Sequence, residues 1–121
     1  MKIFRIEERN GIHGPFHFRE LISLLYDNTV SIPLMMEDYA WGREGLFWEE
    51  YHCGCDSLEL LRKWFNVPRF VELAKKRKLV IKELKVSKKR VKVGRSGTQV
   101  FFQRKDIHHE VIHSLNLLTN T

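Results

Sequence analysis

The sequence predicts an α+β fold: a single small domain in which a mixed or antiparallel sheet is flanked by short helices. Three observations carry this reading. Strand-like and helix-like segments are both present, yet they do not alternate with the regularity of a parallel βαβ array. At 121 residues the chain is long enough for one core and too short for two, so residues 1–121 are read as one domain. An apolar content of 43% with 12% aromatics belongs to a folded chain rather than a disordered one.

The elements follow in order. Lys2–Glu8 alternates as a strand, with Ile3, Arg5 and Glu7 on one face and Phe4 and Ile6 on the other. Asn10-Gly11 and Gly14-Pro15 punctuate turns. Leu21, Ile22, Leu24 and Leu25 give residues 19–27 the spacing of a short helix. Residues 29–50 are irregular, broken by Pro33, Gly42 and Gly45 and loaded with Met35, Met36, Tyr39, Trp41, Phe47 and Trp48; packing over the core is their expected role. Residues 50–55 read as a strand. Asp56 and Glu59 then form a predicted capping box ahead of Leu58, Leu61, Trp64 and Phe65. Pro68 opens a second helix ending near Lys76. Residues 79–86 form a β-branched strand, 87–90 a basic turn or bulge, and 91–93 and 99–103 a hairpin around Gly94–Gly97. Ile107, Val111, Ser114, Leu115 and Leu118 predict an amphipathic helix over 107–118.

Charge is segregated along the chain. Residues 1–74 hold 8 Lys/Arg against 12 Asp/Glu, whereas residues 75–121 hold 13 against 3. Lys75, Lys76, Arg77 and Lys78 end a helix, where cations suit the negative pole of its dipole. Lys82, Lys85, Lys88, Lys89, Arg90, Lys92 and Arg95 decorate the strands and turns beyond it. Such a stripe suits nucleic acid, an anionic ligand or an acidic protein face, and it also serves solubility and edge-strand protection. No helix-turn-helix, zinc-finger spacing or aromatic-studded strand points to sequence-specific recognition, so nucleic-acid binding here would run through phosphates and depend steeply on salt.

Other chemistry is thinly represented. His52, Cys53 and Cys55 cluster in sequence, and His109 and His113 are spaced one helical turn apart, but they offer no converging tetrahedral set; the expectation is free thiols, surface histidines and no metal. Ser57 lacks the Gly-x-Ser-x-Gly elbow of an exposed nucleophile and suits helix initiation. Cys55 at the same helix start could be activated by the dipole, although no base adjoins it in sequence. Gly94-Arg95-Ser96-Gly97 is too short to cradle phosphates. No apolar run approaches the ~20 residues of a membrane span, and MKIFRIEERN lacks the apolar stretch of a signal peptide, so a cytoplasmic location is expected.

Phe4-Arg5-Ile6-Glu7 with Gly14-Pro15-Phe16, residues 53–59 with Leu61-Arg62-Lys63-Trp64-Phe65, and residues 97–102 together resemble a group of small, mostly uncharacterised phage and prophage proteins. The layout also resembles a shrunken ADP-ribosyltransferase. That resemblance implies Arg5 gripping the phosphates of NAD, Ser57 supporting the nicotinamide ribose, and Gln99 at the place of the catalytic Glu. Gln99 cannot ionise, and a neutral amide stabilises developing positive charge far less than a carboxylate. Arg5 has a simpler role available, pairing with Glu7 or Glu8.

The expected function is therefore binding rather than catalysis. A small phage accessory protein in the cytoplasm of a bacterial host would inhibit or modulate a host defence component through its basic segment, without a cofactor. Its partner would be a host protein or nucleoprotein complex with an acidic or nucleic-acid-binding site. An NAD-binding relic or transferase, and nonspecific nucleic-acid binding, are the alternatives.

Overall fold

The computed structural model describes residues 1–27 and 32–119. The chain runs through β1 (Lys2–Glu8), α1 (Arg19–Asp27), β2 (His52–Gly54), α2 (Leu58–Phe65), α3 (Phe70–Lys76), β3 (Leu79–Val86), β4 (Lys92–Val93), β5 (Val100–Phe102) and β6 (Ile107–His113). Two antiparallel three-stranded sheets result, ordered β1-β3-β6 and β2-β5-β4. The class is α+β, with two small sheets rather than one.

β3 is the central strand of its sheet and buries apolar side chains on both faces. Leu79 and Ile81 join Ile6, Leu21, Leu25, Leu61, Phe65 and Phe70 in a core shared with the helices. Leu84 and Val86 join Ile3, Val100 and Phe102 in a second core between the sheets. Helices, first sheet and second sheet thus form three layers. Burial of each such side chain contributes roughly 1.5–3 kcal/mol. The alternation expected of β1 holds: Ile3 and Ile6 point into opposite cores. β2 crosses close over β1, where Phe4 and Cys55 exchange backbone bonds of 2.7 and 3.0 Å. Gly54 permits the approach, since a Cβ there would lie 2.6 Å from Ile3 Cγ2 and 2.8 Å from Phe4 O.

The expected helix over 107–118 is not formed. Residues 107–113 are β6, paired with β3 from Ile81↔His113 to Lys85↔His109, and only Leu115–Leu118 turn as a short 3-10 segment. The 107/111/115/118 spacing fits a helix, but the outer backbone groups of β3 need partners, and β-branched Ile107, Val111 and Ile112 suit a strand. Leu115 and Leu118 alone are deeply buried and anchor the end of the segment. With no helix here, His109 and His113 are not one helical turn apart.

The helix start at α2 also differs from expectation. Ser57, in extended conformation, is the N-cap, and its Oγ accepts a 3.1 Å bond from Leu60 N. Asp56 is exposed and does not cap, so Glu59 falls one position short of a capping box. The helix after Pro68 begins at Phe70, following Arg69 at φ 70°.

The aromatic loop packs as expected over part of its length; its residues 29–31 lie outside the described residues. Trp41 is buried, donates from Nε1 to Met35 O at 3.0 Å, and rests against Phe101 and Tyr51 with ring centroids 5.0 Å away. Asp38 clasps the β4–β5 turn, accepting from Ser96 N and Oγ, each at 2.8 Å, and from Gln99 Nε2 at 3.2 Å. Gly94 is required beside it, because any Cβ would collide with the Asp38 carboxylate.

Candidate functional site

The basic segment is one run in sequence and two clusters in space. Lys75–Lys78 precede β3 and Lys88–Arg90 follow it, so the strand holds them roughly 23 Å apart at ~3.3 Å per residue. The cluster before β3 is partly committed to the fold. Lys75 Nζ donates to Asn116 Oδ1 at 2.5 Å, and Arg77 pairs with Glu20 while lying over the Phe18 ring. Lys76 and Lys78 are exposed.

Lys82 does not belong to the surface. It is 4% exposed, with Nζ 3.0 Å from Glu7 Oε1 and 3.8 Å from Glu110. Its inclusion among the docking residues is corrected: alternation along β3 puts it on the face of Leu84 and Val86, under the second sheet.

The cluster after β3 is uncompensated. Lys85, Lys88, Lys89, Arg90 and Arg95 are exposed and Lys92 is half-buried. None of the six makes an ion pair among the described residues. Lys2 lies opposite Lys85 across β1 and β3, but its Nζ is 3.8 Å from Glu83, so it is already paired and adds nothing to the cluster. From Lys88 to Arg95 the positive charge follows a 3-10 turn and β4 to the tip of the β4–β5 hairpin.

At that tip Arg95 borders an open groove of about 500 Å³, walled by Met36, Tyr39, Trp41 and Trp48 and edged by Arg43 and Glu37. Burial and the Glu44 carboxylate push the Tyr39 phenol up to about 12, so it remains a neutral donor. Trp48 and Met36 are exposed there, with exposed Phe47 next in the chain to Trp48. Aromatic, Met and Arg side chains around a concave patch are the composition enriched in protein interfaces.

Arg5, Ser57 and Gln99 are each engaged separately. Arg5 donates from Nε to Glu7 at 2.8 Å and from Nη1 to Cys53 O at 2.7 Å. Ser57 caps α2. Gln99 is 1% exposed and donates to Pro33 O and Asp38. The cleft that Arg5 borders is lined by neither Ser57 nor Gln99.

Arg5 belongs instead to a buried charge network. Glu7, fully buried, accepts from Arg5, from Lys82, and from both Nη atoms of Arg104 at 3.0 and 2.6 Å. Burial alone would raise its pKa, but hydrogen bonds from Arg104, Arg5 and Lys82 outweigh that and hold it at about 2. Burial first, then Arg5 and Arg104, lower His52 to about 4, leaving a neutral imidazole. Burial pushes Cys55 up to about 12, which removes it as an activated thiolate. Both cysteines are free, Cys55 buried and Cys53 half-buried. Among the described residues no three His, Cys, Asp or Glu side chains converge as a metal would require, and no helix is long and apolar enough to cross a membrane.

Fold and surface together define a small α+β protein with exposed cations along residues 88–95 beside an aromatic groove. The chain belongs to the bacteriophage T4 Y00F protein family, whose model matches residues 1–116. No curated protein and no solved structure matches it.

Proposed function

We propose that this phage protein acts by binding, docking a host protein or nucleoprotein complex with an acidic or nucleic-acid-binding site onto the basic turn and hairpin of residues 88–95 and so inhibiting or modulating it. The observation that carries the reading is the group Lys88, Lys89, Arg90, Lys92 and Arg95: five cations on the 3-10 turn and the hairpin that follows it, with no ion-pair partner among the described residues. Cations without a partner do little for stability, whereas concentrated on one edge they steer an anionic surface to it at high rate. The adjoining groove supplies what charge cannot, an apolar anchor at Trp48 and Met36 that slows dissociation.

Affinity capture from host lysate, with the captured partner then purified and titrated, tests this. The expected result is a single acidic partner whose affinity falls as salt rises from 50 to 200 mM, the regime in which exposed charges become screened. A partner that binds equally at both salt concentrations would overturn the electrostatic reading. If nucleic acid is recovered instead and binding to purified single strands shows a steep logarithmic salt slope, the acidic-protein reading is replaced by phosphate binding.

A further inference from the structure

The cleft bordered by Arg5 is remote in chemistry from the basic hairpin. It lies between β1, the turn at Pro15–His17, β2 and α2, and holds about 180 Å³. We propose that it binds a small single-ring aromatic anion, the ring between Phe4, Trp64 and Phe65 and the negative group at Arg5.

Size limits the occupant first. Sites for drug-sized ligands run to ~300–1,000 Å³, while an engineered apolar cavity of ~150 Å³ accepts benzene. A volume of about 180 Å³ therefore admits one ring with one polar substituent. The walls favour a planar apolar body, since aromatic side chains from β1, the Pro15 turn and α2 face the space.

Charge selects an anion. No Asp or Glu lines the cleft, and Arg5 is the one Arg or Lys that does. Its nearest carboxylate, Glu7, is divided among Arg5, Lys82 and Arg104, with Glu110 a further 3.8 Å from Lys82. Within that network three cations face two carboxylates, while Glu50, Asp106 and Glu44 act on Tyr51, another residue of the lining. Arg5 has five N–H groups. Nε and Nη1 are held by Glu7 and Cys53, but Nη2 makes only a 3.3 Å contact with Ile12 O. His52 also lines the space and, held neutral, adds a hydrogen-bonding group without a competing charge. The pairing that Phe4 makes with Cys55 is isolated and does not continue to Ile6, which opens the edge of β1 at this point.

Cys53 lines the cleft and is a built-in reporter, because Cys55 is fully buried. The rate of thiol labelling at neutral pH is measured with benzoate, benzamide or acetate added at equal ionic strength, alongside amide NMR shifts of Ile6, Gly14 and Cys53. Benzoate is expected to protect Cys53 about tenfold when present at ten times its Kd, and to move those three amides together. Benzamide, lacking the charge, and acetate, lacking the ring, are expected to do neither. Gly14→Ala provides the blocking variant. Gly14 has φ −93°, which alanine also adopts; its methyl would sit 3.4 Å from Arg5 Nη2 and 3.2 Å from the Ile6 carbonyl oxygen, so the neighbour must give by a few tenths of an ångström. It should weaken benzoate about tenfold at a temperature where circular dichroism shows the variant folded. Absence of any benzoate-induced shift, or equal effects from all three probes, overturns the proposal. Loss of hairpin-mediated capture would leave it standing, since the two surfaces share no residue.

Discussion

Replacing Glu7 by Gln removes the one carboxylate on which Arg5, Lys82 and Arg104 converge. The side chain keeps its size, so the cost is electrostatic. A fall in pKa from 4.5 to about 2 corresponds to about 3 kcal/mol at 1.36 kcal/mol per pK unit. Removing one member of a buried ion pair typically costs 3–5 kcal/mol, because the remaining charges stay buried without a counter-ion. The two figures agree, and for a chain of this length they predict a melting temperature about 10 °C lower at pH 7. The folded pKa is depressed, so the stabilisation is present above pH 4.5 and is lost as pH falls toward 2. Urea unfolding followed by circular dichroism between pH 7 and pH 2 separates the cases. The wild type should lose its advantage over Glu7→Gln across that window. A penalty below about 1 kcal/mol, or parallel pH profiles for the two proteins, would refute the reasoning.

Two further outcomes follow from the fold. Ser57→Ala should cost about 1 kcal/mol by chemical denaturation while Asp56→Ala changes stability by less than ~0.5 kcal/mol, because Ser57 alone caps α2. Asp38→Ala frees Ser96 and leaves Gln99 Nε2 with Pro33 O alone, so it should destabilise by about 2 kcal/mol and shift tryptophan emission to the red as the loop around Trp41 loosens.

The α+β class and the place of most elements were legible in the sequence, whereas the division into two sheets was not. The β-branched and apolar residues of Lys2–Glu8 and Leu79–Val86 mark both segments as strands, and both strands stand where the pattern puts them. The C-terminal segment was misread because 107, 111, 115 and 118 satisfy a period of 3.6, and the need of β3 for a second neighbour is a tertiary fact with no local signature. Lys82 was legible in principle: in LVIKELKV it shares a face with Leu84 and Val86. Glu7 gave a weaker hint, a carboxylate on the inward face of β1 two residues after Arg5. Arg104 gave none, since its pairing with Glu7 spans 97 positions of chain. The division of the basic run into two clusters depends on β3 being extended through its full length, and the union of Arg95 with Trp48 and Tyr39 depends on the Asp38 clasp.

Two triple charge reversals of equal net charge test the central claim most directly: Lys88, Lys89 and Arg90 to Glu, against Lys75, Lys76 and Lys78 to Glu. Both clusters are exposed and stand at opposite ends of β3, and Lys75 also donates to Asn116. The account predicts that the first variant loses capture of the host partner and the second retains it, the first melting close to wild type and the second lower for want of the Lys75–Asn116 bond and the cations at the end of α3. Equal loss in the two, or retained capture by the first, would contradict it.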